Sequence, residues 1–230
     1  MDRHVLVARA QPLARAALLA FVACAAFPRG AESAPARPDA MPVRSLIELR
    51  DDRLVRQHWD LSCGAAVVAT LLTYQLGAPA SERDAALGML RSGDARLVRA
   101  RLGFSLLDVK RFAAARGFEA EGYGGLTLDE LVAMAPVITP IRVFGFGHFV
   151  VVRGRQGDRL LLADPAFGNR TMTVGAFQAA WPSRIGLVIL PEGQPHPPNR
   201  MGAPPELFLT PAASAVRSAD ANLRAAEAVR

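Results

Sequence analysis

Cysteine and lysine are almost absent from this chain of 230 residues. Its only cysteines are Cys24 and Cys63, and its only lysine is Lys110, so the formal net charge of +6 rests on arginine. The arginines are scattered instead of clustered with aromatic residues, which argues against a nucleic-acid-binding surface. The paired Cys and His spacing of zinc sites is also missing. We therefore expect no metal, no other cofactor and no nucleic-acid partner.

The N-terminal region lacks an apolar run long enough to span a membrane. Three arginines precede an apolar run from Ala16 to Phe27, and small residues suited to cleavage follow near Ser33. This run is shorter than the ~20 residues that a transmembrane helix needs. We therefore predict a signal peptide over residues 1–34 and an exported protein, periplasmic or secreted. The alternative is a lipoprotein anchored in the membrane through Cys24.

Removal of the signal peptide would leave Cys63 as the one cysteine of the mature protein. An internal disulfide would then be impossible. A single thiol in an oxidising compartment is a liability unless it is buried or has a chemical task. The cysteine count therefore makes Cys63 a candidate nucleophile.

Composition divides the rest of the chain into three parts. Residues 35–42 are rich in proline and are predicted to be a linker, and residues 43–190 have the regular patterning of one domain. Residues 191–230 are predicted to be an unstructured proline-rich segment followed by a C-terminal helix or tail. No glycine-rich phosphate-binding loop with a lysine occurs, so we expect neither an ATP-binding nor a transmembrane domain in this chain.

Within the domain, helices are predicted first and strands second. After a short strand at Ser45–Leu54, the predicted helices are Cys63–Leu76, Ser81–Leu90, Ser105–Arg116 and Thr127–Met134. The predicted strands that follow are Val137–Phe144, His148–Arg153, Arg159–Ala163, Arg170–Val174 and Gly186–Leu190, with a helical turn at Gly175–Trp181. This segregation predicts an α+β fold, in which an antiparallel sheet packs against the uncharged helix that begins at Cys63.

Cys63 lies at the predicted start of that buried helix. The positive end of a helix dipole stabilises a thiolate, and Gly64 permits the backbone to approach a substrate closely. However, Cys63 shares a helical face with Val67 and Leu71, and free cysteine often serves as a small hydrophobic residue. By itself, the position of Cys63 leaves both interpretations open.

The four histidines can be sorted by position. His4 lies in the predicted signal peptide and His196 in the proline-rich segment. His58 falls in the loop before Cys63, where an exposed side chain is the simpler interpretation. His148 begins a predicted strand after a flexible Phe-Gly-Phe-Gly segment, which makes it the candidate general base. The alternative for His148 is a buried ring satisfied by hydrogen bonds.

Asp164 ends the strand that a turn near residues 156–158 joins to the strand of His148. The open ends of such a hairpin lie together, so the Asp164 carboxylate would orient the His148 ring and stabilise its imidazolium. The alternative is that Asp164 only begins the Asp-Pro turn. Gln57, six residues before Cys63, is a candidate oxyanion donor beside the Cys63 backbone N–H.

Ordered motifs between residues 45 and 190 carry a family resemblance. They are Gln57, Ser62-Cys63-Gly64-Ala65-Ala66, Gly103 with Ser105 and Leu106, His148-Phe149-Val150-Val151, and Ala163-Asp164-Pro165 with Gly168. This pattern resembles the double-glycine leader peptidases, which process bacteriocins and often form N-terminal domains of peptide-exporting ABC transporters. The resemblance implies a papain-like fold and endopeptidase activity on a peptide or protein. It also implies the roles of nucleophile, base, orienter and oxyanion donor for Cys63, His148, Asp164 and Gln57.

The chain departs from this family in two ways. Transporter-linked members usually carry an aspartate immediately before the cysteine, where this chain has Ser62, and no transporter domain is recognised here. Two alternatives to a peptidase therefore stay open. One is a non-catalytic peptide-binding module on the same fold. The other is a different acyl transfer by the same residues, such as transglutamination or deamidation.

Overall fold

The computed structural model describes residues 45–202. The predicted signal peptide at 1–34, the linker at 35–42, Cys24 and the predicted C-terminal helix or tail beyond residue 204 lie outside these residues. Within them, no helix combines the length and the apolar composition needed to cross a membrane.

Seven helices are found in the described part of the chain. They are α1 (Leu46–Asp51), α2 (Cys63–Thr70), α3 (Glu82–Ser92), α4 (Ala95–Arg101), α5 (Leu106–Ala115), α6 (Leu128–Ala133) and α7 (Val174–Ala180). The central helix α2 continues into a π-helical turn at Leu71–Gln75, so the predicted helix Cys63–Leu76 is confirmed. Helix α4 was missed because its short, arginine-rich sequence has no apolar periodicity.

Helix starts are fixed by local sequence. Ser81, Ser105 and Thr127 each accept a hydrogen bond from a backbone N–H three residues on, and the acidic side chain at that position bonds back to the cap. These reciprocal capping boxes satisfy backbone N–H groups that a helix start leaves unpaired. The three predicted starts are therefore confirmed.

The same signal corrects one prediction. Ser45–Leu54 was predicted to be a short strand, which is wrong because residues 46–51 form a helix. Ser45 and Glu48 make a capping box at its start. The alternation of apolar and polar residues in this segment is too short to determine a strand, and the cap favours the helix.

Within residues 45–202, six strands form one antiparallel sheet. They are β1 (Phe118–Tyr123), β2 (Val137–Val143), β3 (Phe146–Gln156), β4 (Arg159–Asp164), β5 (Gly168–Thr173) and β6 (Gly186–Pro191). Their order across the sheet is β1-β6-β2-β3-β4-β5, with every pair antiparallel. All five predicted strands from residue 137 onward are confirmed, whereas the edge strand β1 was missed because Glu119 and Glu121 face solvent.

Alternate residues of the strands belong to two cores, one on each face of the sheet. On one face, Val151, Ala163 and Ile189 pack with α2, α3 and α5. On the other face, Val150, Leu162 and other strand residues pack with α6 and α7. This alternation is what a sheet covered on both faces requires. The predicted α+β fold, with a central helix on an antiparallel sheet, is confirmed.

Residues 192–202 contain no helix or strand, yet they are fixed to the domain. Met201 is fully buried in the helical core. Its carbonyl accepts a 2.6 Å hydrogen bond from Nε of Arg153, and the Asn199 amide donates back to the Arg153 carbonyl at 2.9 Å. This part of the proline-rich segment thus differs from the expected unstructured region, because a buried side chain and backbone hydrogen bonds hold it in place.

Candidate active site

Cys63 is the first residue of α2, whose following residues are all buried. The residue before it, Ser62, makes no side-chain cap to the helix. The first N–H groups of α2 are therefore not occupied by a capping side chain and point toward the thiol end of the helix. Gly64 is required for packing, since a Cβ there would lie 3.0 Å from Cβ of Phe104 and 3.6 Å from the Phe149 ring.

His148 lies in β3 beside Asp164 at the end of β4. Nε2 of His148 is 2.8 Å from Oδ1 of Asp164. The hairpin between them has a two-residue loop and a bulge at Arg153, and its register pairs Val151 with Ala163. Continued by one residue, that register sets Asp164 opposite Val150, so His148 and Asp164 are diagonal neighbours on one side of the hairpin. The predicted proximity is present, but the predicted direct pairing is offset by two residues.

The Cys63 side chain lies close enough to the His148 ring to influence its pKa. Burial by itself lowers the pKa of His148, but the hydrogen bonds and negative charges of Asp164 and Cys63 outweigh burial and raise this pKa to about 9. A histidine with such a pKa carries a proton at neutral pH. The geometry therefore favours an imidazolium between the carboxylate and the sulfur.

Asp164 is completely buried and fully hydrogen bonded. Its Oδ1 accepts from the backbone N–H groups of Ala166 and Phe167 as well as from His148, and its Oδ2 accepts from Nε of Arg170 at 2.8 Å. Burial raises the pKa of Asp164, but the bonds and positive charges of His148 and Arg170 lower it below its ordinary value. Asp164 does begin the Asp-Pro turn, as the alternative interpretation held, and it also binds the histidine.

Arg170 was not singled out from the sequence. It follows β4 by six residues and carries no motif, so only the pairing of β4 with β5 brings it to Asp164. Its guanidinium also lies over the Phe167 ring, 5.5 Å from the ring centre.

Gln57 lies on the loop before Cys63, and its recorded hydrogen bonds are to Pro165 and Trp59 and not to the Cys63 sulfur. Its backbone N–H donates to the carbonyl of Pro165 at 3.0 Å, which ties it to the turn after Asp164. Its side-chain amide donates to the carbonyl of Trp59 at 3.3 Å, and Oε1 is buried without a protein partner. The structure thus brings His148 into direct contact with Asp164 and close to Cys63, while Gln57 stays a predicted oxyanion donor on the adjoining loop.

The loop before Cys63 is held by a buried carboxylate that the sequence did not reveal. Glu82, at the start of α3, accepts hydrogen bonds from the backbone N–H of His58 and from the Ser62 hydroxyl, and its other oxygen lies 2.8 Å from Nδ1 of His58. His58 is exposed, as expected, but it is not without a partner. In the sequence, Glu82 has only the features of an ordinary acidic residue in a first helical turn.

Apolar surface and an open cavity adjoin the site. Exposed aromatic side chains occur just before Cys63, just before His148 and just after Asp164, namely Trp59, Phe144, Phe146 and Phe167. The cavity has a volume of about 470 Å³ and is lined by Pro140, Ile141, Arg142, Gly147, Pro182 and Ser183. Ile141 pairs with His148 across β2 and β3, so the cavity lies beside the histidine.

No group of three or more His, Cys, Asp or Glu side chains within residues 45–202 is arranged to bind a metal ion. The arrangement of thiol, imidazole and carboxylate is that of nucleophilic acyl transfer, in which the sulfur attacks a carbonyl and the imidazole moves the proton.

Comparison with known proteins agrees with this chemistry. The sequence profile of the Peptidase C39 family matches residues 51–194. Over 149 residues the chain is 39% identical to the "Probable functional amyloid protease FapD" of Pseudomonas aeruginosa, which covers 64% of this chain and 65% of that protein. A protein of the same name from Pseudomonas fluorescens is 38% identical over 153 residues, 66% of each chain. The match therefore spans slightly less than two thirds of the length of either relative.

A solved structure shares the fold. The peptidase domain of Streptococcus ComA, a bi-functional ABC transporter involved in a quorum sensing pathway, superposes with a TM-score of 0.51 and 22% identity. The superposition covers 60% of this chain and 98% of that domain. This likeness confirms the papain-like α+β fold.

Proposed function

The chain belongs to the peptidase C39 family of cysteine peptidases, and from this membership we propose that it is an exported endopeptidase that uses a Cys63–His148–Asp164 triad. Gln57 and the Cys63 backbone N–H would form its oxyanion hole. The observation that carries the proposal is the His148 ring, which is hydrogen bonded to the buried carboxylate of Asp164 and lies close enough to Cys63 for the thiol to influence its pKa. The start of α2 and the paired strands β3 and β4 supply these three groups, and acyl transfer requires that they lie together.

The mechanism follows from the protonation of the site. The Cys63 thiolate attacks the scissile carbonyl carbon, a C–S bond forms, and the carbonyl oxygen takes up the negative charge. The His148 imidazolium then gives its proton to the amine as the C–N bond breaks. Neutral His148 next takes a proton from water as that water attacks the thioester, and the C–S bond breaks to regenerate the thiolate. Asp164 stays ionised and holds the ring throughout.

Two features support a peptide substrate with apolar side chains. The exposed Phe167 ring lies 6.4 Å from the His148 ring, centre to centre, and the other exposed aromatic residues are close to Cys63 or His148 in the chain. Such rings bind apolar groups with a large contact area. The open cavity next to His148 offers space for one or more substrate side chains. The names of the two curated relatives connect them with functional amyloid, so we propose a protein of a functional amyloid system as the substrate.

The proposed location is the periplasm or the exterior, following removal of residues 1–34. A lipoprotein attached through Cys24 is the other arrangement. Mass spectrometry of the mature N-terminus distinguishes the two, since a lipoprotein would begin at an acylated Cys24 and a secreted form near Ser33.

Alkylation of Cys63 by iodoacetamide tests the triad. The full chain would be labelled at neutral and mildly acidic pH, with peptide mapping to separate Cys63 from Cys24, and compared with His148→Ala and Asp164→Asn. We expect rapid labelling of the wild type that persists at mildly acidic pH, and labelling slowed by roughly tenfold or more in His148→Ala. If labelling of Cys63 is slow and neither substitution changes its rate, the peptidase proposal is wrong and the non-catalytic peptide-binding module becomes the better interpretation.

A further inference from the structure

Glu82 is a buried carboxylate outside the triad, with 3% of its surface exposed. It lies on α3, 19 positions after Cys63 in the chain, and it collects donors from one short loop. These donors are the backbone N–H of His58 at 2.8 Å, the backbone N–H of Trp59 at 3.4 Å, the ring of His58 and the hydroxyl of Ser62. A glutamate in a first helical turn ordinarily stays in solvent or caps its own helix, and neither role accounts for four contacts to one neighbouring loop.

The two ends of this loop carry the groups that must face each other during acyl transfer. Gln57 immediately precedes the N–H groups that Glu82 holds, and Cys63 immediately follows the hydroxyl that Glu82 holds. The Gln57 backbone is fixed on its other side by the carbonyl of Pro165. A single carboxylate thus spans the segment between the candidate oxyanion donor and the candidate nucleophile.

Glu82 also determines what the Ser62 hydroxyl does. A serine immediately before a helix ordinarily accepts a hydrogen bond from an N–H of the first helical turn. Here Ser62 makes no such cap: its single hydroxyl proton is shared between the Glu82 carboxylate and the carbonyl of Trp59, so the oxygen is held beside these groups instead of the helix N–H groups. The first N–H groups of α2 are thereby kept free of this competitor, and one of them belongs to Cys63.

We propose that Glu82 is a positioning residue that holds residues 58–62 and so sets the geometry of the oxyanion hole relative to Cys63. This inference rests on the proposed function of the triad. Burial alone raises the pKa of Glu82, but hydrogen bonds from Ser62, His58 and Trp59 outweigh burial and lower it. The carboxylate is therefore ionised at neutral pH, as an acceptor of four donors must be.

Two probes separate positioning of the oxyanion hole from activation of the thiol. Alkylation of Cys63 by iodoacetamide needs a thiolate but forms no oxyanion. Acylation by an activated ester, benzyloxycarbonyl-glycine p-nitrophenyl ester, passes through a tetrahedral oxyanion and needs its donors. Full-length Glu82→Gln would be compared with Asp84→Asn as the matched control. Asp84 is an exposed carboxylate in the first turn of the same helix, and it forms the capping box with Ser81.

We expect Glu82→Gln to lower the rate of ester acylation by about 10- to 100-fold while alkylation of Cys63 stays near the wild-type rate. Asp84→Asn should lower the melting temperature but leave the ratio of the acylation rate to the alkylation rate unchanged. Ser62→Ala, which removes one contact and little volume, should lower the acylation rate less than Glu82→Gln does, again with alkylation near the wild-type rate. It provides the test if Glu82→Gln does not fold.

Equal losses of alkylation and acylation in Glu82→Gln, or an unchanged acylation rate, would overturn the positioning role. Failure of the proposed function looks different. In that case the wild type itself would show neither accelerated alkylation of Cys63 nor ester hydrolysis.

Discussion

Nε2 of His148 and Oδ1 of Asp164 lie 2.8 Å apart although the two residues are not opposite each other in the hairpin. The register sets Asp164 opposite Val150, two residues nearer the loop than His148, so the contact is diagonal. A diagonal contact leaves the second carboxylate oxygen free to bind Arg170 on the next strand. The carboxylate is therefore held from two sides, and the ring it orients has little freedom to turn.

The raised pKa of His148 predicts how stability depends on pH. The pKa is about 9 in the folded protein against an ordinary value of 6.5. Because the folded state holds the proton more tightly, this stabilisation is fully present below about pH 6.5 and is lost as the pH rises through about 9. We expect the free energy of unfolding by urea to fall by an amount on the order of 3 kcal/mol between pH 6.5 and pH 10.

His148→Gln should remove most of this pH dependence, whereas His196→Gln, at an exposed histidine near the end of the described residues, should keep it. An equal decline in the wild type and in His148→Gln would show that other groups cause it.

Arg170→Gln tests the second partner of Asp164. Without the guanidinium, Asp164 loses its Oδ2 partner, and the pKa of His148 rises because a nearby positive charge is gone. We expect peptidase activity to fall about 3- to 30-fold and the alkaline limit of the activity profile to move to higher pH. Arg159→Gln is the matched control, since Arg159 binds Thr171 across the same two strands. A loss of activity without a moved alkaline limit would contradict the electrostatic role.

Phe144→Gly should stabilise the protein and weaken substrate binding. Phe144 is 89% exposed and has φ +48°, a conformation that costs a residue with a side chain on the order of 1 kcal/mol. Relief of this strain should raise the free energy of unfolding by about 0.5–1 kcal/mol. Loss of the ring should raise KM about 5- to 10-fold for a peptide that the wild type cleaves, with kcat unchanged.

Phe144→Tyr keeps both the ring and the strain, so it should match the wild type in stability and KM. An unchanged KM in Phe144→Gly would mean that this hairpin tip does not contact the substrate.

Arg153→Ala should loosen residues 199–202. The Arg153 side chain is fully buried and donates to the carbonyls of Asp52 and Met201 and to the Asn169 side chain. Its removal takes away these hydrogen bonds, including the one to the Met201 carbonyl, so we expect a loss of about 2–4 kcal/mol in the free energy of unfolding and faster hydrogen exchange at Met201.

Arg155→Ala is the matched control on the same strand, because Arg155 pairs with the exposed Asp129. Its cost should stay below about 0.5 kcal/mol. If the two substitutions lowered the free energy of unfolding by the same amount, the buried contacts of Arg153 would contribute no extra stability.

The sequence determined those features that depend on neighbours in the chain. Capping residues such as Ser105 and Thr127 indicated helix starts, and short runs of apolar and β-branched residues indicated the strands from residue 137 onward. The candidate nucleophile, base and orienter also followed from sequence, because Cys63 begins a buried helix while His148 and Asp164 end the two strands of one hairpin. Each of these signals is local or spans a single turn.

Tertiary structure alone decided which distant groups support the site. Arg170 reaches Asp164 because β5 pairs with β4, and Glu82 reaches Ser62 because α3 packs beside α2. Neither residue carries a motif, since an arginine in a strand and a glutamate in a first helical turn are ordinary at their positions. The two-residue offset between His148 and Asp164 depends likewise on the bulge at Arg153. Packing and register are properties of the whole sheet, and they become visible only when strands and helices distant in the chain lie side by side.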